Sequence, residues 1–183
     1  MKNIYIVLTY TGTILSKVVK LYTKKEYSHC SISLNNDLSQ MYSFGRYNEN
    51  NPFWGGFIKE EINKGTFKRF NNTETAIYCL NVTDEQYEII KQELKKMSNN
   101  KKIYTFNLIG LFLAGFKIKV KRKHKFYCSE FIKYLLDKAK VNTKLPNIVI
   151  PQDFANLENI KLIYQGKLNK YNVGELNYEL AKV

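Results

Sequence analysis

Two residues far apart in the chain have side chains that could do nucleophilic chemistry together, Cys128 and His29. Cys128 stands in "KHKFYCSEFIKYLL" (123–136), where Phe131, Leu135 and Leu136 recur at helical spacing. That spacing predicts a helix with the cysteine in its first turn. An ordinary thiol is mostly protonated at neutral pH, and only the thiolate attacks well. A helix N-terminus offers unpaired N–H groups and positive potential, both of which favour the thiolate. The Cys128 backbone N–H is also placed to receive an oxyanion formed at a carbonyl under attack.

A base is needed, and the chain has two histidines. His124 lies in the cationic run "KIKVKRKHK" (117–125), a solvated setting. His29 lies in "YSHCSISL" (27–34), a strand pattern. Its alternation puts His29, Ser31 and Ser33 on one face and Cys30, Ile32 and Leu34 on the other. The first face is polar and small, as suits the wall of a cleft, so His29 is preferred. An orienting group must then hold the imidazole through its other nitrogen. On the returning strand "QMYSFGR" (40–46), Tyr42 and Phe44 share one parity. With those two in the core beside Ile32 and Leu34, Ser43 faces the His29 side and is the first choice. Gln40 and Tyr42 stay open, because a one-residue slip across "NNDLS" swaps the faces.

The elements that must position these residues can be read along the chain. Residues 3–10 form a strand rich in Ile, Val and Tyr. Residues 13–22 form a short amphipathic helix with an apolar stripe of Ile14, Leu15, Val18, Val19 and Tyr22. Strands follow at 27–34 and 40–46 around the turn residues 35–37, and then a loop spans 48–57 in which Gly55 and Gly56 can take unusual dihedrals. Two more strands fall near 66–70 and 75–82. Thr83 and Gln86 form a capping-box pattern that opens a helix over "TDEQYEIIKQELKKM". Helices at about 105–115 and from Cys128 to about Lys140 come next, then a turn opened by Pro151 and a last strand at 159–168. This order predicts an α+β domain over residues 1–183, with a mostly antiparallel sheet or partial barrel packed by helices.

Composition narrows the setting. A hydrophobic fraction of 44% excludes a disordered chain. Cys30, Cys79 and Cys128 are an odd set without a CxxC pair, so no disulfide framework is expected, and Cys30 and Cys79 read as core thiols. No metal site, phosphate loop or dinucleotide fingerprint is present, and no cofactor is expected. The apolar stretch "FNLIGLFLAGF" (106–116) is too short to span a bilayer, and the N-terminal run has no cleavage site, so a cytoplasmic location is expected. The net charge of +13 attracts acidic partners, with Lys117 to Lys125 the densest run.

Taken together, "LTYTGTILSKVVKLYTKKEYSHCSISL", "MYSFGR", "NPFWGGF", "FYCSEFIKYLL" and "IPQDF" resemble the permuted NlpC/P60 group of papain-like cysteine hydrolases, the YiiX/YaeF-like branch. In ordinary members the cysteine precedes the histidine, whereas here His29 comes first and Cys128 follows 99 residues later. That order is also found in relatives of lecithin:retinol acyltransferase. The resemblance runs from Ile4 to about Leu168, and Cys128-Ser129-Glu130 with Ser28-His29 are its most specific parts. It implies Cys128 as nucleophile, His29 as general base and acid, and a third polar group from the strand after the histidine, which matches Ser43. Serine departs from the His, Asn, Glu or Gln of better-known relatives. The expected chemistry is cleavage of a peptide, amide or acyl-lipid bond through a thioester. Tyr127, Glu130, Gln40 and Tyr42 are pocket candidates.

Two other readings follow from the charge. In one, a vestigial site sits in a basic module that binds nucleic acid or another acidic polymer through Lys117 to Lys125. In the other, the 106–116 segment and the basic run rest on an anionic membrane surface, where an acyltransferase or thioesterase would meet lipid.

Overall fold

The computed structural model describes residues 1–47 and 54–174. The strands are β1 (Lys2–Tyr10), β2 (His29–Ser33), β3 (Met41–Arg46), β4 (Gly55–Glu60), β5 (Glu74–Val82), β6 (Thr105–Phe106), β7 (Lys125–Phe126) and β8 (Ile160–Lys167). The helices are α1 (Ile14–Thr23), α2 (Gly65–Arg69), α3 (Asp84–Asn99), α4 (Leu108–Gly115) and α5 (Cys128–Lys138). The strands make one open sheet in the order β7-β6-β4-β3-β2-β1-β5-β8. Every pair is antiparallel except β6 with β7. The molecule is thus mixed α/β with a mostly antiparallel sheet, as the element pattern predicts.

Alternation along β1 divides the core. Ile4, Ile6 and Leu8 point to one face, where α3 and α5 pack, while Tyr5 and Val7 point to a smaller cluster with Leu38, Phe67 and Leu168. From α5 come Phe131, Ile132, Leu135 and Leu136, all fully buried. Each such side chain contributes about 1.5–3 kcal/mol by leaving water. The helix that carries Cys128 is therefore anchored along its whole inner stripe. The capping box of α3 forms as predicted: Thr83 Oγ1 accepts from the Gln86 N–H, and Gln86 Oε1 accepts from the Thr83 N–H. Pro151 opens a short 3₁₀ turn, and Asp153 accepts from the Ile150 N–H at 2.8 Å.

Several elements differ from the sequence reading. The stretch near 66–70 is helix α2, entered through Gly65 at φ 53°, and not a strand. The predicted loop 48–57 contains the start of strand β4, and its residues 48–53 lie outside the described residues. Gly55 and Gly56 are required for close approach rather than for unusual dihedrals. A Cβ at Gly55 would run into the Gly45 carbonyl oxygen, and one at Gly56 would run into that of Tyr104. Helix α4 starts at Leu108, because Thr105 pairs with Gly56 and Lys125 instead. The α1 stripe is split: Val19 is buried, but Ile14 is 82% exposed and Val18 is also exposed.

Candidate active site

Cys128 occupies the first helical position of α5, after Tyr127 in extended conformation at the N-cap. Three local bonds hold this helix end in place. Ser129 Oγ donates to the Val149 carbonyl at 2.7 Å. The Glu130 carboxylate accepts from the Tyr127 backbone N–H. It also accepts from Asn107 Nδ2 at 3.4 Å. Asn107 is itself fully buried and caps α4 by accepting from the Gly110 N–H at 3.0 Å. The Cys-Ser-Glu tripeptide thus supplies one reactive group and two anchors. Glu130, at the third helical position, makes the return bond of a capping box to the N-cap N–H, while the Tyr127 side chain makes no cap bond.

His29 begins β2, opposite Thr9 of β1. Its Nε2 lies 3.1 and 3.3 Å from the two carboxylate oxygens of Glu60, at the end of β4. Ser31 Oγ lies 3.4 Å from the same nitrogen and donates to Glu60 Oε2. The side chains of His29 and Glu60 are 21% and 12% exposed, so the pair is largely shielded from water. Nε2 is thereby engaged by the Glu60 carboxylate.

Thiol and imidazole meet. Burial works against charge on His29, yet the Glu60 charge and hydrogen bonding with Cys128 and Glu60 raise its pKa well above the ordinary value. Cys128 is 5% exposed. Hydrogen bonding from Cys30 is the largest cause that takes its pKa well below the ordinary thiol range. Burial opposes that shift, and hydrogen bonding and positive charge from His29 reinforce it. Cys30 moves the other way, pushed up by its own burial and by Cys128, so it stays a protonated donor. The arrangement favours a thiolate–imidazolium pair.

Ser43, the expected orienting group, makes its hydrogen bond elsewhere. It is fully buried, and its hydroxyl donates to the Cys30 carbonyl at 2.7 Å. The pairing of Ile32 with Tyr42 and Ser33 with Met41 does put Ser43 on the polar face of β2, as parity predicts. A serine side chain is too short to use that placement, and Glu60 from the next strand reaches the ring instead. Sequence reasoning missed Glu60 because the predicted loop 48–57 takes in the start of β4, and the remainder of that strand, Ile58 to Glu60, falls in no predicted element. Cys30 is a buried core thiol, as expected, and it lies beside Cys128.

The cleft beside the pair is walled by Ser28, His29 and Glu60, by Leu15 and Val19 of α1, by Leu111 of α4 and by Cys128. None of the four pocket candidates lines it. Tyr42 stacks on Phe57 with ring centroids 5.8 Å apart, and its hydroxyl donates to Gln40 Oε1 at 2.9 Å on the surface. Tyr127 caps the helix, and Glu130 anchors it. His124 sets its ring edge-on to Tyr104 at 5.3 Å. Ser28 lines this cleft, and its hydroxyl oxygen is buried with no hydrogen-bond partner among the described residues. Compared with protein-family models the chain matches none, and no curated protein matches it closely enough to count as a relative.

Proposed function

We propose that this protein is a cysteine hydrolase or acyltransferase of the circularly permuted, papain-like NlpC/P60 kind. Cys128 is its nucleophile, His29 its acid and base, and Glu60 its orienting carboxylate. The observation that carries the proposal is the line Cys128–His29–Glu60, in which one imidazole serves the thiol and is held by a shielded carboxylate through Nε2. This is the relation of nucleophile, base and orienter found in triads on many folds.

The reaction follows from the charges. The Cys128 thiolate adds to an amide or ester carbonyl carbon, and the carbonyl oxygen becomes an oxyanion. The Cys128 backbone N–H receives that oxyanion. Collapse breaks the bond to nitrogen or oxygen, the leaving group takes the imidazolium proton, and a thioester remains on Cys128. The now neutral imidazole takes a proton from water or another acceptor as that acceptor attacks the thioester. The acyl group departs, and the thiolate–imidazolium pair is restored. The mostly apolar wall from Leu15, Val19 and Leu111 suits an acyl or apolar side chain next to the scissile bond.

The test is Cys128→Ala, screened with the wild type against amide and ester substrates. The variant is expected to keep its circular dichroism and lose turnover. A thiol-reactive probe is expected to label Cys128 ahead of Cys30 and Cys79. Equal labelling of all three cysteines under native conditions counts against the proposal, and so does turnover that survives the substitution.

A further inference from the structure

The outer faces of α1 and α4 carry more apolar surface than folding accounts for. Ile14, Val18 and Leu21 are exposed at i, i+4 and i+7 on α1. On α4 and just beyond it, Ile109, Phe112 and Phe116 repeat the pattern at i, i+3 and i+7. Each run is one continuous stripe of a helix. The two helices touch, with Tyr22 of α1 packed where Gly115 of α4 lacks a side chain. The stripes thus lie side by side. Phe112 and Phe116 are 63% and 65% exposed, with ring centroids 5.3 Å apart. Ile118, also exposed, extends the patch past the helix end. Scattered apolar residues need no explanation, but two adjoining stripes on helices that wall the cleft call for a partner.

Charge identifies that partner. Segments 1–25 and 94–129, which contain both helices, include no Asp or Glu. Lys17, Lys24 and Lys25 are exposed on and after α1, and an exposed basic run from Lys117 to Lys123 follows α4. The acids nearest this rim are Glu26, beside Lys25, and Glu130, which feels Lys119 and Lys121, and they are outnumbered by the lysines. An apolar face rimmed by such an excess of cations fits the boundary of an anionic bilayer, with acyl chains for the stripes and head groups for the rim. A second copy of this chain fits poorly, since an isologous interface would bring two basic rims together. A nucleic acid would leave the phenylalanine and isoleucine stripes without an apolar partner.

We propose that the paired outer stripes of α1 and α4 seat this protein on an anionic lipid surface, with the mouth of the cleft beside the bilayer. The inner sides of the same helices supply Leu15, Val19 and Leu111 to the cleft. Docking there would bring a lipid-borne acyl group close to Cys128, a consequence that rests on the proposed role of that cysteine. The docking itself does not rest on it.

The test therefore uses the full chain carrying Cys128→Ala, so that loss of chemistry leaves the readout untouched. Co-sedimentation is measured with vesicles of phosphatidylcholine alone and of phosphatidylcholine with phosphatidylglycerol. Binding is expected to the mixed vesicles. On pure phosphatidylcholine it should weaken by roughly fivefold for each lysine that no longer meets an anionic head group. Phe112→Ser with Phe116→Ser is expected to cut partitioning at least about tenfold. Ile14→Ser with Leu21→Ser tests the other stripe by itself if the first variant folds poorly. Absence of binding to the mixed vesicles overturns the proposal. Binding that neither folded variant weakens also overturns it, as does a concentration-dependent dimer that both pairs of substitutions abolish.

Discussion

Replacing Glu60 by glutamine probes the part of the site that the sequence did not predict. At 3.1 Å from His29 Nε2, a unit charge acts on an imidazolium with about 5 kcal/mol at an effective dielectric near 20. The amide of glutamine keeps the shape and can still accept a hydrogen bond, so part of the interaction survives. The His29 pKa is therefore expected to fall, by part of that interaction rather than all of it. The direction follows from the sign of the shift. The folded-state value is raised above the unfolded value, so the pair contributes its full stability below about pH 6.5. That contribution fades as the pH rises through the folded-state value. Without the carboxylate, the imidazolium loses its proton earlier and the thiolate–imidazolium window narrows from its alkaline side. The assay is an NMR titration of the imidazole carbons, simplified by a chain with two histidines in which the His124 signal serves as reference. Ser43→Ala is the comparison, since its hydroxyl binds the Cys30 carbonyl and not the ring. A His29 midpoint that Glu60→Gln leaves in place, or that Ser43→Ala moves as far, refutes the role given to Glu60.

Two further outcomes follow from the same site. Cys30→Ala removes the leading donor to the Cys128 sulfur, so the pH at which Cys128 becomes alkylable by iodoacetamide should rise, which rate–pH profiles would record. Gly110→Ala would drive a methyl into Asn107 Nδ2, breaking the cap of α4 and the link to Glu130. Denaturant unfolding should show a loss of about 1–3 kcal/mol, and Cys128 alkylation should slow as the start of α5 loosens.

How much of this was legible in the sequence depended on how local each cause was. The cap of α3, the position of Cys128 in the first turn of α5 and the alternation of β2 rest on neighbouring residues, and they could be read directly. Parity placed Ser43 on the correct face of β3. What parity cannot give is reach: Glu60 is 31 residues from His29 and meets it only through the β2–β3 and β3–β4 registers. The glycines that begin β4 imitate a loop, although they are needed because two backbones approach closely there. The stripe on α1 was misjudged because periodicity reports which residues share a face, not what covers it. Apolar residues at 14, 15, 18, 19, 21 and 22 are more than one buried face can take.

The most direct measurement is the capture of an acyl group on the protein. The protein is mixed with an activated ester, quenched with acid, digested and mapped by mass spectrometry. The predicted result is a hydroxylamine-labile acyl adduct on Cys128 that forms in wild type, forms far more slowly in His29→Ala, and is absent from Cys30 and Cys79. Turnover with no adduct at Cys128, or acylation that proceeds equally well without His29, would contradict the assignment of nucleophile and base.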